Sequence, residues 1–427
     1  MKALAQEERS VLLSLRNELT VRYEEFRARK LSLDMTRGRP CSDQLDIAKE
    51  LYALVDDTSF RSANNTDCRN YGAPTGIDEC KRVFSFITGI DPSLIILGNN
   101  SSLSLMYDTL LRSMVFGEIE SDRPWGNETV RKWLCPAPGY DRHFAITEAL
   151  GFELIPIQMN SDGPDMDQVE KLVSSDDSIK GMWCVPLYSN PDGIVYSESV
   201  CARLCSMKTA AKDFRVYWDN AYAVHHLSLK NRRSIPNVLD LSVSGGNPNR
   251  FYVFASTSKI TLAGSGIACI AANTDNINRA KKQLSLRTIG PDKLNQLRHA
   301  RYIPDQKALD TIMERHAAII RPKFDAVHSI LEEELGGLDI AKWNKPEGGY
   351  FISLFLMKGT AKKVVEAAAS AGVLLTSAGA TYPYGSDPDD SNIRIAPTMP
   401  SLVDLQTATR VLAICAKLIA VEQLLRD

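Results

Sequence analysis

The stretch Ser256-Thr257-Ser258-Lys259-Ile260-Thr261-Leu262-Ala263-Gly264-Ser265-Gly266 follows directly on the apolar run Phe251-Tyr252-Val253-Phe254-Ala255. The run reads as a buried strand, with a lysine at its mouth before a glycine-rich turn. Most lysines after strands are solvated loop residues. An ammonium held at this depth, however, is disfavoured relative to the neutral amine, whose ordinary pKa is about 10.4. Lys259 is therefore a candidate amine nucleophile toward a carbonyl carbon. The hydroxyls of Ser256 and Ser258 and the backbone donors of the turn suit a phosphate nearby.

Three further segments have the same form of a strand running into a polar turn. Phe214-Arg215-Val216-Tyr217-Trp218 leads into Asp219-Asn220-Ala221-Tyr222. This puts Asp219 at the carboxyl end of a buried strand, where open α/β sheets bind ligands and where an acid is costly unless it meets a cation. Val185-Pro186-Leu187-Tyr188-Ser189 leads into Asn190-Pro191-Asp192-Gly193, which is also plain turn chemistry. Leu94-Ile95-Ile96-Leu97 leads into Gly98-Asn99-Asn100-Ser101-Ser102. Ser101 or Ser102 can cap the helix that follows, and that same helix end is an anion site.

Taken in order, these segments, with Pro138-Gly139-Tyr140 and a late Asn392-Ile393-Arg394, resemble the fold type I aminotransferases that use pyridoxal 5′-phosphate. Thr36-Arg37-Gly38-Arg39-Pro40 and Pro138-Gly139-Tyr140-Asp141-Arg142-His143-Phe144 further resemble the divergent aspartate aminotransferase subgroup Ic. The resemblance implies an α/β architecture, with a large cofactor-binding domain over residues 36–300 built on a mainly parallel seven-stranded sheet. A smaller α+β domain would cover 301–427, and an N-terminal helical segment, 1–35, would pack against it.

The resemblance also implies roles. Lys259 would carry the cofactor and move the substrate Cα proton, and Asp219 would pair with the pyridine nitrogen. Asn190 and Tyr222 would bond the ring hydroxyl, Tyr140 would stack on the ring, and Ser101 or Ser102, Ser256 and Ser258 would hold the phosphate. Better-known members have an arginine several residues past the lysine on that phosphate; here Ile267 and Ala268 occupy the region. Tyr71 matches a tyrosine that reaches the phosphate of the neighbouring subunit, which implies a homodimer with shared sites. Arg394 would clamp the substrate α-carboxylate through its planar fork. Gly38 matches a mobile backbone contact near the substrate, and Asn190 also faces the substrate. Arg37, Arg39 and Arg142 are candidate cations for a distal carboxylate. The implied reaction transfers an amino group between aspartate or glutamate and a 2-oxo acid by a ping-pong mechanism. An aromatic or kynurenine-like donor, or a lyase reaction on the same fold, is the alternative.

Composition is compatible with this. With 427 residues and 44% hydrophobic content the chain can bury one large core and a second smaller one. A formal charge of −2, without a basic field, argues against nucleic acid and membrane surfaces as partners. Nine cysteines without flanking histidines read as reduced thiols and no metal site. The start lacks an apolar signal core, and a cytoplasmic protein is expected. Leu4 to Leu31, with Val11, Leu12, Leu15, Leu19 and Tyr23 at helical spacing, reads as an amphipathic helix. The loop around Tyr382–Asp390 reads as flexible, and His225 and His226 read as satisfied structural histidines.

Overall fold

The computed structural model describes residues 3–426. Its central sheet runs in the order Ile95–Leu97, Ala268–Ala271, Phe251–Ser256, Arg215–Asp219, Ile179–Cys184, Lys132–Ala137, Glu153–Asn160 and Gly163–Pro164. The five strands from Phe251–Ser256 to Glu153–Asn160 are parallel, and Ala268–Ala271 is antiparallel to both of its neighbours. Seven strands form the body expected from the sequence. An eighth, only two residues long, is added at the edge because the chain turns back at Gly163 and pairs with Asn160. A two-residue strand carries no hydrophobic period, so it left no mark in the sequence.

Burial along the central strands is continuous, as in sheets covered on both faces. Side chains alternate between two cores. Val216, Trp218, Val253 and Met182 join one face, while Tyr217, Tyr252, Phe254, Trp183 and Trp133 form an aromatic layer on the other. The helices obey the matching rule. Asp78–Thr88 buries Cys80, Val83, Phe84 and Ile87, carries Asp78 and Glu79 in its first turn, and ends at Gly89 in the left-handed region.

A separate core gathers Leu4, Leu12 and Leu19 with residues of the C-terminal quarter, including Ile352, Leu354, Ile393, Ile395, Leu405 and Leu412. It is built on an antiparallel three-stranded sheet, Ala341–Trp343, Ile352–Leu356 and Asn392–Ile395, and on the helix Leu402–Leu424. Helix Gln306–Leu335 joins the two cores. Leu309, Ile312 and Met313 lie in the first, and Phe324, Val327 and Leu331 in the second.

The sequence expectations need three local corrections. The N-terminal helix is broken after a short turn, Leu4–Gln6, and resumes as Arg9–Ala28, with Val11 on its exposed side at 45%. The segment 382–390 is anchored. Buried Asp387 accepts hydrogen bonds from the backbone N–H groups of Asp389, Ser391 and Asn392, and the Tyr384 hydroxyl accepts from Leu154 N–H at 2.7 Å. His226 is bonded to the Tyr188 hydroxyl at 2.6 Å, but His225 is buried with no hydrogen bond to either ring nitrogen among the described residues. Among the described residues no helix is long and apolar enough to cross a membrane.

Candidate active site

Parallel strands bring their carboxyl ends to one edge, so the segments after Ala137, Cys184, Asp219 and Ser256 meet there. The smaller sheet closes over that edge with Arg394 on its strand Asn392–Ile395 and with Phe351, which precedes the strand Ile352–Leu356. Between them lies a cavity of about 300 Å³ whose lining includes Lys259, Asp219, Tyr222, Asn190, Tyr140, Ser102 and Arg394. Arg37, Gly38, Arg39 and Arg142 line the same cavity.

Lys259 is half-buried, and its ammonium lies 4.8 Å from the ring centre of Tyr222 and 5.9 Å from that of Tyr350. Burial pushes its pKa below the ordinary lysine value, against the opposing pull of the Asp219 carboxylate. The amine is thus biased toward its nucleophilic form. Asp219, 4% exposed, takes one bond, 3.0 Å, from its Oδ2 to Nε2 of His143. Its other oxygen, Oδ1, is buried without a partner among the described residues. An unsatisfied buried carboxylate oxygen is rare in a purely structural setting.

His143 was not singled out as a site residue by sequence reasoning. It stacks on Trp183 at 4.3 Å with its plane only 10° away, and its ring lies edge-on to Tyr140 at 4.9 Å. The signal available was its place on the helix opened by Tyr140, Asp141–Ala149, where three residues make about one turn. Burial also drives Tyr140 up to about 12, helped by the Asp219 and Asp141 charges. Its hydroxyl stays protonated.

Arg394 stands on the strand Asn392–Ile395 opposite Ser353. Its Nη1 donates to Asp141 Oδ1 at 3.0 Å and to Asn190 Oδ1 at 3.3 Å, and Nη2 donates to the Thr376 hydroxyl at 3.3 Å. The guanidinium also lies 5.0 Å from the Phe351 ring centre. Asp141, Thr376 and Phe351 were not foreseen; nothing in a linear chain links them to residue 394. Gly38 is close-packed beneath this group, since a Cβ there would come within 2.5 Å of Phe351 Cζ. Of the three further arginines, Arg39 lies 3.5 Å from Asp34. Among the described residues Arg37 and Arg142 have no ion-pair partner.

The hydroxyls named for a phosphate are placed unequally. Ser102 opens the helix Ser102–Phe116 and lines the cavity. Ser101 caps that helix by accepting from Ser104 N–H at 3.1 Å, and Ser258 donates to the Asn100 carbonyl at 3.2 Å. Ser256 is buried at its strand end, and none of these three belongs to the cavity lining. Ile267 is buried in the sheet core, so no charge comes from that position. Tyr71 is 79% exposed.

The profile of the aspartate amino-transferase family matches residues 7–427. The chain belongs to that family. An aspartate aminotransferase of Corynebacterium glutamicum is 46% identical to this aminotransferase over 404 residues, covering 94% of this chain and 92% of the relative. A Mycolicibacterium smegmatis relative, 50% identical over 407 residues and 95% of each chain, carries only a general aminotransferase name. A crystal structure of an aspartate transaminase from C. glutamicum superposes with a TM-score of 0.96 at 44% identity over 99% of both chains. The kynurenine aminotransferase of Pyrococcus horikoshii, at 19% identity, TM-score 0.75 and 94% of each chain, shares the fold alone. Aminotransferases of this fold type use pyridoxal phosphate and act on amino acids and 2-oxo acids.

Proposed function

We propose that this aminotransferase binds pyridoxal 5′-phosphate on Lys259 and exchanges the amino group between aspartate or glutamate and a 2-oxo acid. The observation that carries this reading is one cavity lined jointly by a lysine of lowered pKa, a buried carboxylate with a free oxygen and a pre-oriented guanidinium. Those groups fit the cofactor's needs: the free oxygen of Asp219 suits a protonated ring nitrogen, and the biased amine suits a carbonyl carbon. When bound, pyridoxal phosphate supplies a sink for the electron pair left at the substrate Cα.

The chain's own residues do the rest. Lys259 takes and returns the Cα proton as general base and acid. Asp219, held by His143, would keep the ring nitrogen protonated, since an opposite charge in contact shifts a pKa by about 1 to 3 units toward the charged form. Tyr222 and Asn190 would bond the ring hydroxyl, Tyr140 would cover a ring face, and Ser102 at the helix N-terminus, with Ser101, Ser256 and Ser258 as neighbouring hydroxyls, would receive the phosphate. Arg394, oriented by Asp141 and Asn190, takes the α-carboxylate, with Gly38 close by. Arg37 and Arg142, without ionic partners among the described residues, are better placed than Arg39 to take a distal carboxylate.

We also propose a homodimer with shared sites, each Tyr71 reaching the phosphate of its partner's site. Exposed apolar residues support it. Tyr107, Leu111, Val115 and Phe116 lie on helix Ser102–Phe116, and the Arg287–Asp108 pair at 2.7 Å brings exposed Leu286 and Ile289 to that helix. Gly290 packs against Gly72, next to Tyr71. The two domains, 36–300 and 301–427 with the N-terminal segment, and a cytoplasmic location complete the reading.

The test is borohydride reduction of the purified protein followed by peptide mapping, together with kcat/KM for aspartate, glutamate, alanine, phenylalanine and kynurenine. A pyridoxyl adduct on Lys259 and a preference for dicarboxylates are expected. An adduct on another lysine removes the assignment, and a preference for kynurenine or phenylalanine removes the aspartate reading.

A further inference from the structure

The backbone carbonyls of Lys259 and Ile260 lie outside the sheet ladder and accept no backbone hydrogen bond among the described residues. Their donors come from two distant segments, joined by a third. Gln44, on the short helix Ser42–Asp46, is fully buried and uses its whole amide. Its Oε1 accepts from Cys41 N–H at 3.2 Å, and its Nε2 donates to His316 Nδ1 at 3.1 Å and to the Tyr350 hydroxyl at 2.9 Å. Since Nδ1 accepts, the His316 proton sits on Nε2, which donates to the Ile260 carbonyl at 2.9 Å. The Tyr350 hydroxyl, having accepted from Gln44, donates to the Lys259 carbonyl over a longer 3.4 Å. Every proton in the chain of bonds is thereby assigned.

The three side chains come from the segment that follows Arg37, Gly38 and Arg39, from the helix joining the two cores and from the bend that leads into the smaller sheet. The ring of Tyr350 is also a wall beside the lysine amine, and buried His225 braces it edge-on at 5.6 Å. A lysine carries a flexible four-carbon stem, so the position of its amine depends on a fixed root. We propose that Gln44, His316 and Tyr350 are positioning residues that lock the root of Lys259 to the cavity rim and to both cores. This rests on the reading of Lys259 as the cofactor-bearing lysine. None of the three is a catalytic residue; each acts through the backbone of Lys259 or its neighbour.

The experiment compares holoenzymes of wild type, Tyr350→Phe, His316→Leu and His316→Gln. The readouts are kcat, KM, Tm and the pH titration of the absorbance band of the lysine-bound cofactor. Misplacement of a reacting group by about 1 Å can cost about 100-fold in rate. Tyr350→Phe and His316→Leu should lower kcat about 10- to 100-fold with KM little changed, and should displace the midpoint of the absorbance titration. His316→Gln, whose amide can stand in for the Nε2 donor, should restore both. Tyr350→Phe removes one hydroxyl and keeps the ring, so it decides the matter if His316→Leu does not fold. Wild-type kcat and midpoint in Tyr350→Phe, with only a lower Tm, would overturn the proposal. Borohydride mapping separates the two levels: an adduct away from Lys259 defeats the underlying reading, whereas an adduct on Lys259 with unchanged variants defeats the network alone.

Discussion

The two ends of one strand, Arg215–Asp219, carry opposite charges and treat them in opposite ways. At the amino end Arg215 is buried between Glu118, 3.5 Å away, and Glu120. Burial works against its charge, and Glu118, Tyr252 and Glu120 more than offset that, so the guanidinium is held above its ordinary pKa. At the carboxyl end Asp219 has His143 on one oxygen and, among the described residues, no hydrogen-bond partner on the other. The charge at the amino end is met by two carboxylates, although its Nε makes no hydrogen bond among the described residues, while the one facing the cavity is bonded to a single imidazole. A structural charge needs compensation within the chain; a charge reserved for a ligand has to be left without it.

The largest expected effects test this contrast directly. Asp219→Ala should lower kcat/KM by about 2 to 5 kcal/mol, roughly tens to thousands of fold, with Tm near wild type. Arg215→Met should cost about 3 to 5 kcal/mol of stability by leaving Glu118 buried and unpaired, while the folded fraction turns over normally. Denaturation midpoints and steady-state kinetics on both variants decide it. If Asp219→Ala unfolds as readily as Arg215→Met and keeps its turnover, the two ends are alike and the contrast breaks.

Arginines around the cavity give the next effect. Arg394→Leu should damage all amino donors alike, by a similar 2 to 5 kcal/mol or so. Arg142→Leu or Arg37→Leu should act on aspartate and glutamate alone and narrow their advantage over alanine. The measurement is the ratio of kcat/KM values. An unchanged ratio in Arg37→Leu, Arg39→Leu and Arg142→Leu would show that the distal carboxylate is held elsewhere.

Buried, hydrogen-bonded histidines should also govern the pH dependence of stability. Burial pushes His299 and His316 each down to about 4. Between roughly pH 4 and 6.5 the unfolded chain binds protons that the folded chain refuses. Stability is therefore lost as pH falls through that window, by an amount on the order of a few kcal/mol, and His299→Gln should flatten the decline in Tm. A further effect has the opposite sign. Burial raises Asp192, two residues past Asn190, to about 7, and its Oδ1 has no hydrogen-bond partner among the described residues. Its folded-state pKa lies above the unfolded value, so the stability it contributes when protonated is lost as pH rises from about 4 through 7. The Tm of Asp192→Asn should gain on wild type between pH 5 and pH 8. A constant difference would show that Asp192 stays ionised in the fold.

Much of this was legible beforehand because strands and turns are local. Lys259, Asp219 and Asn190 each sit at a change from an apolar run to turn residues, and parallel strands bring such changes to one edge, whereas Tyr140 came from resemblance. Arg394 came from resemblance rather than from local pattern, since a single arginine on a strand has no local signature. The partners of these residues were not legible. His143 behind Asp219, and Asp141 and Thr376 on Arg394, are selected by distance in space. Gln44 is polar by composition, yet it is wholly buried because three acceptors and donors converge on it. The sequence by itself determined which residues could carry charge or a nucleophile and at which strand ends they would stand. Only the tertiary structure decided which of those charges are compensated and which stay open, because compensation depends on through-space distance and burial, and both are set by segments far apart in the chain.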